Sequence, residues 1–217
     1  KVGSMSDLIK VNHIIYCPFT GLGLYNGYRG DKWLKNRIAI FKNFVVPSLL
    51  NQTNQNFILM VSWRSEERTN PVVQEFKNYL KHTLLRQVVF TYDGILFWDD
   101  KYKKDEAEAR LKNSLKRTLP EIAKYIDSGC EWILWTLQPS DDVYLCDVVE
   151  KIQKYFLENP EMQAVGFSKG YIMRYDNKEI SNYNPTTNPP FFTIKFPREI
   201  FLNPEKHYEY ISIKHDV

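Results

Sequence analysis

Short apolar runs alternate with longer segments of helical period along the first two thirds of the chain. Four of the runs predict buried strands, at residues 13–17, 57–63, 88–92 and 131–138. Apolar residues that recur every three or four positions predict helices at 31–50, from 70 onward, at 105–127 and at 145–157. This order of strand and helix favours a mostly parallel sheet with helices on both faces.

Three local signals refine the predicted helices. Asp31 is expected to cap the first helix, whose apolar face is expected at Leu34, Ile38, Phe41, Val45 and Leu49. Asn70 followed by Pro71 indicates the start of the second helix. Pro120 is expected to break or kink the third.

The last third of the chain has a different pattern of apolar and polar residues. Residues 163–167 and 171–175 predict strands, with a turn at Asp176-Asn177 and a loop at 182–190. Residues 210–217 have a strand-like pattern. The predicted fold class is therefore α/β, with an irregular, partly antiparallel C-terminal part.

Composition narrows the class of protein. The 43% hydrophobic and 25% charged residues are ordinary for a soluble globular domain. A net charge of +3 does not favour a nucleic-acid binder, but it is compatible with a local pocket for an anionic ligand. The 15% aromatic content suggests that rings also line a cleft or a surface. No apolar run approaches the ~20 residues of a membrane span.

Three widely spaced cysteines, Cys17, Cys130 and Cys146, favour neither a disulfide framework nor a cysteine zinc site. A reducing, cytoplasmic location follows as the expectation. Residues 3–5 (Gly-Ser-Met) are typical of an expression scar before an initiator Met5. We expect residues 5–217 to form one monomeric domain, which could belong to a longer multidomain chain.

Two adjacent carboxylates follow the fourth predicted strand, in the sequence Pro139-Ser140-Asp141-Asp142. Ligands of open α/β sheets bind at the carboxyl ends of the strands. Carboxylate oxygens there suit Mg²⁺ or Mn²⁺. The alternative is that Ser140 or Asp141 caps a helix beginning near Val143. A second pair, Asp99-Asp100, enters a highly charged stretch that is typical of a solvated loop.

Basic and imidazole side chains supply further candidates. Arg29 lies in a predicted loop and Arg110 on a predicted helix, and the guanidinium fork suits phosphate. Arg37 and most other basic residues are expected on solvated helix faces. Among the histidines, His13 is expected in the core, His82 and His207 in solvent, and His215 as a candidate metal ligand.

Several common sites are excluded by their missing motifs. The chain has no G-x-G-x-x-G after the first strand, no G-x-x-x-x-G-K-[ST] and no G-x-S-x-G. A Rossmann dinucleotide site, a P-loop and a serine-hydrolase elbow are therefore not supported.

The order of elements resembles GT-A-fold glycosyltransferases, in which a metal-binding Asp-x-Asp signature ends a central strand. Residues 138–142 (Gln-Pro-Ser-Asp-Asp) stand at that place. The helix with Trp33-Leu34-Lys35-Asn36-Arg37, Pro47-Ser48-Leu49 and Gln52 is similar to the rhamnosyltransferase family. The similarity extends to a glycosyltransferase domain of chlorella virus capsid-glycan synthesis, which would place the protein in the host cytoplasm.

Two positions depart from the family pattern. Pro139 stands at the first acidic position of Asp-x-Asp. Ser62-Trp63-Arg64 stands where many relatives have an Asp against the nucleotide base. Base recognition is therefore expected from Pro18-Phe19-Thr20 or from Asp93.

The resemblance implies a metal-dependent glycosyltransferase that moves a rhamnose-type or glucose-type sugar from a UDP-sugar donor to a glycan acceptor. It implies Mn²⁺ or Mg²⁺ on Asp141 and Asp142, with His215 completing the site. Arg29, Arg110 and Ser140 are the remaining expected donor contacts.

The stereochemistry depends on whether a carboxylate base is present. Between residues 182 and 204 the one acidic residue is Glu199, which is the candidate catalytic base of an inverting enzyme. Because Glu199 is the one candidate base in this segment, a retaining mechanism is favoured, in which the donor phosphate assists the acceptor. Two other functions stay open: a sugar-phosphate nucleotidyltransferase and a non-catalytic carbohydrate-binding domain.

Overall fold

The structure is a computed structural model that describes residues 10–20, 30–83, 88–92, 104–184 and 192–212. Five of the predicted site residues lie outside these ranges: Arg29, Asp93, Asp99, Asp100 and His215.

Each of the four apolar runs predicted as buried strands corresponds to a strand. The strands are β1 His13–Pro18, β2 Ile58–Ser62, β3 Val88–Thr91, β4 Trp132–Leu137, β5 Ala164–Gly166, β6 Gly170–Met173, β7 Ile180–Tyr183 and β8 Phe192–Pro197. The helices are α1 Asp31–Ile40, α2 Val46–Leu50, α3 Pro71–Thr83, α4 Lys104–Ala123, α5 Val148–Glu158, α6 Arg198–Phe201 and α7 Pro204–Ser212. None of these described helices has the length and apolar character needed to cross a membrane.

Six described strands form one sheet in the order β3-β2-β1-β4-β8-β5. The pairs from β3 to β4 are parallel, whereas β8 is antiparallel to both β4 and β5. A second, two-stranded sheet pairs β6 with β7. This α/β architecture confirms the predicted fold class and is consistent with a GT-A-like fold.

The sheet lies between two layers of helices. Alternate side chains of β1 point to opposite faces: Ile15 and Cys17 to one, Ile14 and Tyr16 to the other. Helices α1, α2, α3 and α5 cover the first face, and α4 and α6 cover the second.

The first helical segment continues from α1 to α2 through a π-helical stretch, Phe41–Val45. In that stretch the Val46 N–H donates to the Phe41 carbonyl five residues back. Pro47, which has no N–H and would crowd the preceding turn of an α-helix, accounts for the wider turn. The predicted inner face is confirmed, because all five of its residues are buried. Gly30, with φ 88°, takes the N-cap position expected for Asp31.

Other helix predictions need correction. Pro120 does not break α4, which continues to Ala123, and the alternative of a kink stays a prediction. Helix α5 begins at Val148 and not near residue 145. Tyr210, expected in a strand, lies in α7, and its hydroxyl donates to the Lys195 carbonyl of β8 at 2.8 Å.

The hairpin of β6 and β7 exposes apolar residues on both of its faces. Register pairs place Tyr171 and Met173 on one face and Ile172 on the other. Tyr171 is 62% exposed and Tyr175, in the turn, is 65% exposed. The Tyr175 ring contacts Phe44 of the π-helical stretch edge-on, with 5.7 Å between centroids.

His13 is a hydrogen-bonded core residue, as predicted. Its Nδ1 accepts from Gln153 Nε2 at 3.1 Å, which assigns the ring proton to Nε2. Nε2 lies 2.8 Å from Thr136 Oγ1, and that hydroxyl lies 2.7 Å from Thr193 Oγ1. The chain of bonds therefore joins α5 to three neighbouring strands.

His207 is buried, contrary to the prediction that it faces solvent. Its ring packs 4.8 Å from both Phe196 and Phe201, and Nδ1 donates to the Phe201 carbonyl at 2.8 Å. Burial lowers the pKa of His207 to about 4, although the Phe201 carbonyl acts in the opposite direction. The folded protein therefore keeps this imidazole neutral at pH values where an unfolded chain would protonate it.

Acid should destabilise the protein through His207. Its pKa is near 6.5 when unfolded and about 4 when folded, so its contribution is complete above pH 6.5 and falls as the pH drops toward 4. Between pH 7 and pH 4.5, protonation of His207 in the unfolded chain should lower the wild-type free energy of unfolding by roughly 2 kcal/mol. Urea unfolding at each pH measures this loss. His207→Phe keeps a ring but cannot titrate, so its free energy of unfolding should fall less steeply with acid. The exposed His82→Asn change is the control, and equal slopes for His207→Phe and wild type would contradict the assignment.

Candidate functional site

The candidate site lies at the carboxyl ends of β1, β2 and β4. Pro18 of β1 is level with Ser62 of β2, and the Gln138 N–H after β4 donates to the Tyr16 carbonyl at 2.8 Å. The segments that follow these strands therefore meet at one edge of the sheet, where open α/β sheets bind ligands.

Gln138 fixes the turn that carries the Asp pair. Its side chain is buried, and Nε2 donates to the carbonyls of Pro139 at 2.8 Å and Asp142 at 2.7 Å. Two bonds from one amide close the turn over residues 138–142. The helix-cap alternative for Ser140 or Asp141 is wrong, because α5 begins only at Val148. Ser140 itself is buried in the turn.

Gln52 holds the far end of the same connection. Its Nε2 donates to the Leu145 and Ser48 carbonyls, each at 2.8 Å. Its Oε1 accepts from the Val149 N–H at 3.1 Å, in the first turn of α5. Asp147, at the N-cap, makes no side-chain cap bond. Gln52 thus supplies, from a distant part of the chain, a bond that a helix cap would normally make.

Asp141 forms an ion pair with Arg37, whose Nη1 contacts Asp141 Oδ2. The Arg37 side chain is 15% exposed and the Asp141 side chain 49%. Arg37 was expected in solvent, so this placement is a correction. The helical period contains the signal: Arg37 is three residues after Leu34 and four before Phe41, which are both buried.

The two carboxylates occupy different environments. Burial raises the pKa of Asp142, the charge of Asp141 raises it further, and Arg37 opposes both effects. Burial also raises the pKa of the Cys17 thiol in β1, with a further contribution from Asp141. The charge of Asp141 therefore acts on the neighbouring strand β1, where the Cys17 thiol is buried away from water.

Three of the residues predicted to recognise a nucleotide base, Pro18, Phe19 and Thr20, are packed inside the protein, and the fourth, Asp93, lies outside the described residues. Phe19 is buried, and its ring stacks on Trp63 with 4.5 Å between centroids. Thr20 Oγ1 donates to the buried Glu67 and accepts from the Arg64 N–H at 3.2 Å. Pro18 is also buried. We therefore leave these three side chains out of the proposed site.

Glu199 lies at the opposite edge of the sheet from the Asp pair. Strand β8 is antiparallel to β4, with Pro197 level with Trp132 at the start of β4. Glu199 follows Pro197, whereas Asp141 follows the other end of β4. The six-residue strand between them is roughly 20 Å long, at about 3.3 Å a residue. A shared role for Glu199 and Asp141 in one site is therefore incompatible with the topology.

Arg110 is not brought to the Asp pair either. It is exposed on α4, which covers the face of the sheet opposite to α1 and Arg37.

Asp141 and Asp142 suit a hard divalent cation in part. They offer carboxylate oxygens, and a cation would relieve the cost of a charge on the half-buried Asp142. Within the described residues, no set of three His, Cys, Asp or Glu side chains comes together. A cation on this pair would therefore depend on water and on phosphate oxygens of a ligand for its other positions.

A comparison with protein families matches residues 27–84 to a family described as "Putative rhamnosyl transferase". The match supports a glycosyltransferase-like family at a coarse level. It includes α1 through α3 with Arg37 and Gln52, and it does not reach the Asp pair. No curated protein matches the chain. The similarity to a chlorella virus enzyme stays a prediction.

Gln52→Leu should destabilise the protein by about 1–3 kcal/mol, because it leaves the Leu145 carbonyl and the Val149 N–H without their amide partner. Denaturant unfolding measures the loss. The exposed Gln163, before β5, provides a matched Gln163→Leu control, which should change the free energy of unfolding by about 0.5 kcal/mol or less. Wild-type stability of Gln52→Leu would show that water replaces the amide.

Proposed function

We propose that the protein is a glycosyltransferase that uses a nucleotide-sugar donor, with a UDP-sugar of rhamnose or glucose type as the first candidate. The observation that carries the proposal is the Arg37–Asp141–Asp142 cluster at the carboxyl edge of a GT-A-like sheet. The family match to α1 through α3 supports the same class.

The donor diphosphate would bind at the turn over residues 138–142. A bound Mn²⁺ or Mg²⁺ on Asp141 and Asp142 would act as a Lewis acid toward the phosphate oxygens. The chain itself contributes a fixed turn, because Gln138 and Gln52 hold its two ends. A rigid turn keeps the carboxylates in place as charge develops on the leaving group. His215, the expected third ligand, belongs to this proposal as well.

The β6–β7 hairpin is our candidate for the acceptor surface. Strand β5 ends at Gly166, level with Phe192, at the same sheet edge as the Asp pair. The hairpin follows β5 and exposes Tyr171 and Tyr175. Tyrosine rings pack against the apolar C–H faces of sugars and offer a hydroxyl for hydrogen bonds. A glycan acceptor therefore suits this surface.

We propose a retaining outcome. Its support is the position of Glu199, the one acidic residue between 182 and 204, at the wrong edge of the sheet to serve as the base. NMR of the anomeric proton of the product tests this. An inverted centre that is lost on Glu199→Gln would overturn it.

The two alternative functions differ in what they bind. A nucleotidyltransferase would favour UTP over UDP, and a carbohydrate-binding domain would need neither nucleotide nor metal. Thermal shift with UDP, GDP, CMP and UTP, each with and without Mn²⁺, separates the three. Release of UDP from a panel of UDP-sugars then identifies the donor.

Asp141→Asn and Asp142→Asn should each abolish the Mn²⁺-dependent thermal shift caused by UDP, since an amide is a weaker ligand for a divalent cation than a carboxylate. The matched control is Asp99→Asn, in the other acidic pair, which should keep the shift. Loss of the shift in Asp99→Asn alone would move the metal site to the other pair.

Tyr171→Ala combined with Tyr175→Ala should raise KM for the acceptor by about tenfold and leave UDP binding unchanged, because both rings are exposed and neither belongs to the Asp turn. Tyr125→Ala, on the chain between α4 and β4, is a control away from this edge. An unchanged acceptor KM in the double variant would remove the hairpin from the acceptor surface.

A further inference from the structure

We propose that Arg37 is a donor-binding residue that exchanges partners: it pairs with Asp141 in the donor-free protein and binds the donor diphosphate when a divalent cation occupies the Asp pair. This inference rests on the proposed function, and it concerns a residue that neither the Asp-x-Asp-like sequence nor the expected phosphate contacts include.

The position of Arg37 is set by its helix. Leu34 and Ile38, on either side of it in α1, are buried against the sheet. The guanidinium lies 5.5 Å from the centre of the Trp33 ring. A long side chain held along such a surface keeps its charged end in a defined place. Arg37 can therefore serve the Asp turn without any movement of the backbone.

The ion pair with Asp141 holds the guanidinium at the turn, because the buried Nη1 contacts Asp141 Oδ2. A planar guanidinium also binds phosphate through two parallel hydrogen bonds. The donor diphosphate is therefore a suitable second partner for the same group once a cation holds the carboxylates.

Charge balance makes the exchange favourable in both states. Without a donor, Arg37 offsets the charge of Asp141, next to the half-buried Asp142. A divalent cation on those carboxylates would compete with Arg37 for the same oxygen atoms of Asp141. The donor diphosphate then brings negative charge to the same place and gives Arg37 a new partner. Metal and donor should therefore bind with positive coupling, and metal alone should bind weakly.

Arg37→Gln separates the two halves of the exchange. Isothermal titration with Mn²⁺ alone should show binding about five- to tenfold tighter than in the wild type, because the competing cation is gone. Titration with UDP at saturating Mn²⁺ should show binding about tenfold weaker, because the diphosphate loses its guanidinium. The UDP affinity of Arg37→Lys should lie between those of the wild type and Arg37→Gln, since lysine keeps the charge but not the planar fork of donors.

Lys35→Gln is the matched control. It removes one positive charge from the same helix at an exposed position, so both affinities should stay at the wild-type values. Thermal unfolding of each variant checks that it is folded. If Arg37→Gln does not fold, the UDP affinity of Arg37→Lys tests the proposal. Unchanged or weaker Mn²⁺ binding in folded Arg37→Gln, or unchanged UDP binding in folded Arg37→Gln or Arg37→Lys, would overturn the exchange.

The outcome is independent of whether sugar transfer is observed. If Arg37→Gln shows opposite changes in Mn²⁺ and UDP affinity but no donor is turned over, the exchange stands and the proposed activity fails. If sugar is transferred and the Arg37 variants bind both ligands like the wild type, only the exchange fails.

Discussion

The hydrogen-bond chain through His13, Thr136 and Thr193 fixes the centre of the sheet, where its parallel part meets its antiparallel part. A slip of β4 by one residue against β1 would turn Thr136 away from His13 and leave a buried imidazole without its partner. Since the Asp turn directly follows β4, the register that these polar groups select also determines where Asp141 and Asp142 lie. The fold and the candidate site thus depend on the same bonds.

Residues 31–52 support the Asp turn without belonging to it. Arg37 reaches the turn near its middle, and Gln52 reaches the end of the same connection at Leu145 and Val149. Arg37 projects from α1 and Gln52 follows the end of α2 at Leu50, with the π-helical stretch between them. A family match that ends before the Asp pair can therefore still describe the part of the chain that positions it.

Local pattern was enough to predict most of the first two thirds of the fold. The apolar runs gave all four parallel strands, and Asn70-Pro71 gave the start of α3, where Asn70 Oδ1 accepts from the Val72 N–H. Strand β8 is not predicted, and its direction depends on pairing with β4, a contact between distant segments. The position of Glu199, which follows β8, depends on the same pairing. His207 was missed for a similar reason, since its burial depends on Phe196 and Phe201 packing around it.

Of the site itself, the sequence predicted the Asp pair but not the residues that control it. Arg37 carries a charge on a stripe that is otherwise apolar, and Gln138 is a buried amide at a strand end. Each contradicts the ordinary preference of its position, and each lies against the same turn. Such conflicts between residue type and environment are expected where function, and not stability, selects the residue. Because Arg37 and Gln138 both lie around Asp141 and Asp142, the argument for a binding site is stronger than the two carboxylates alone would make it.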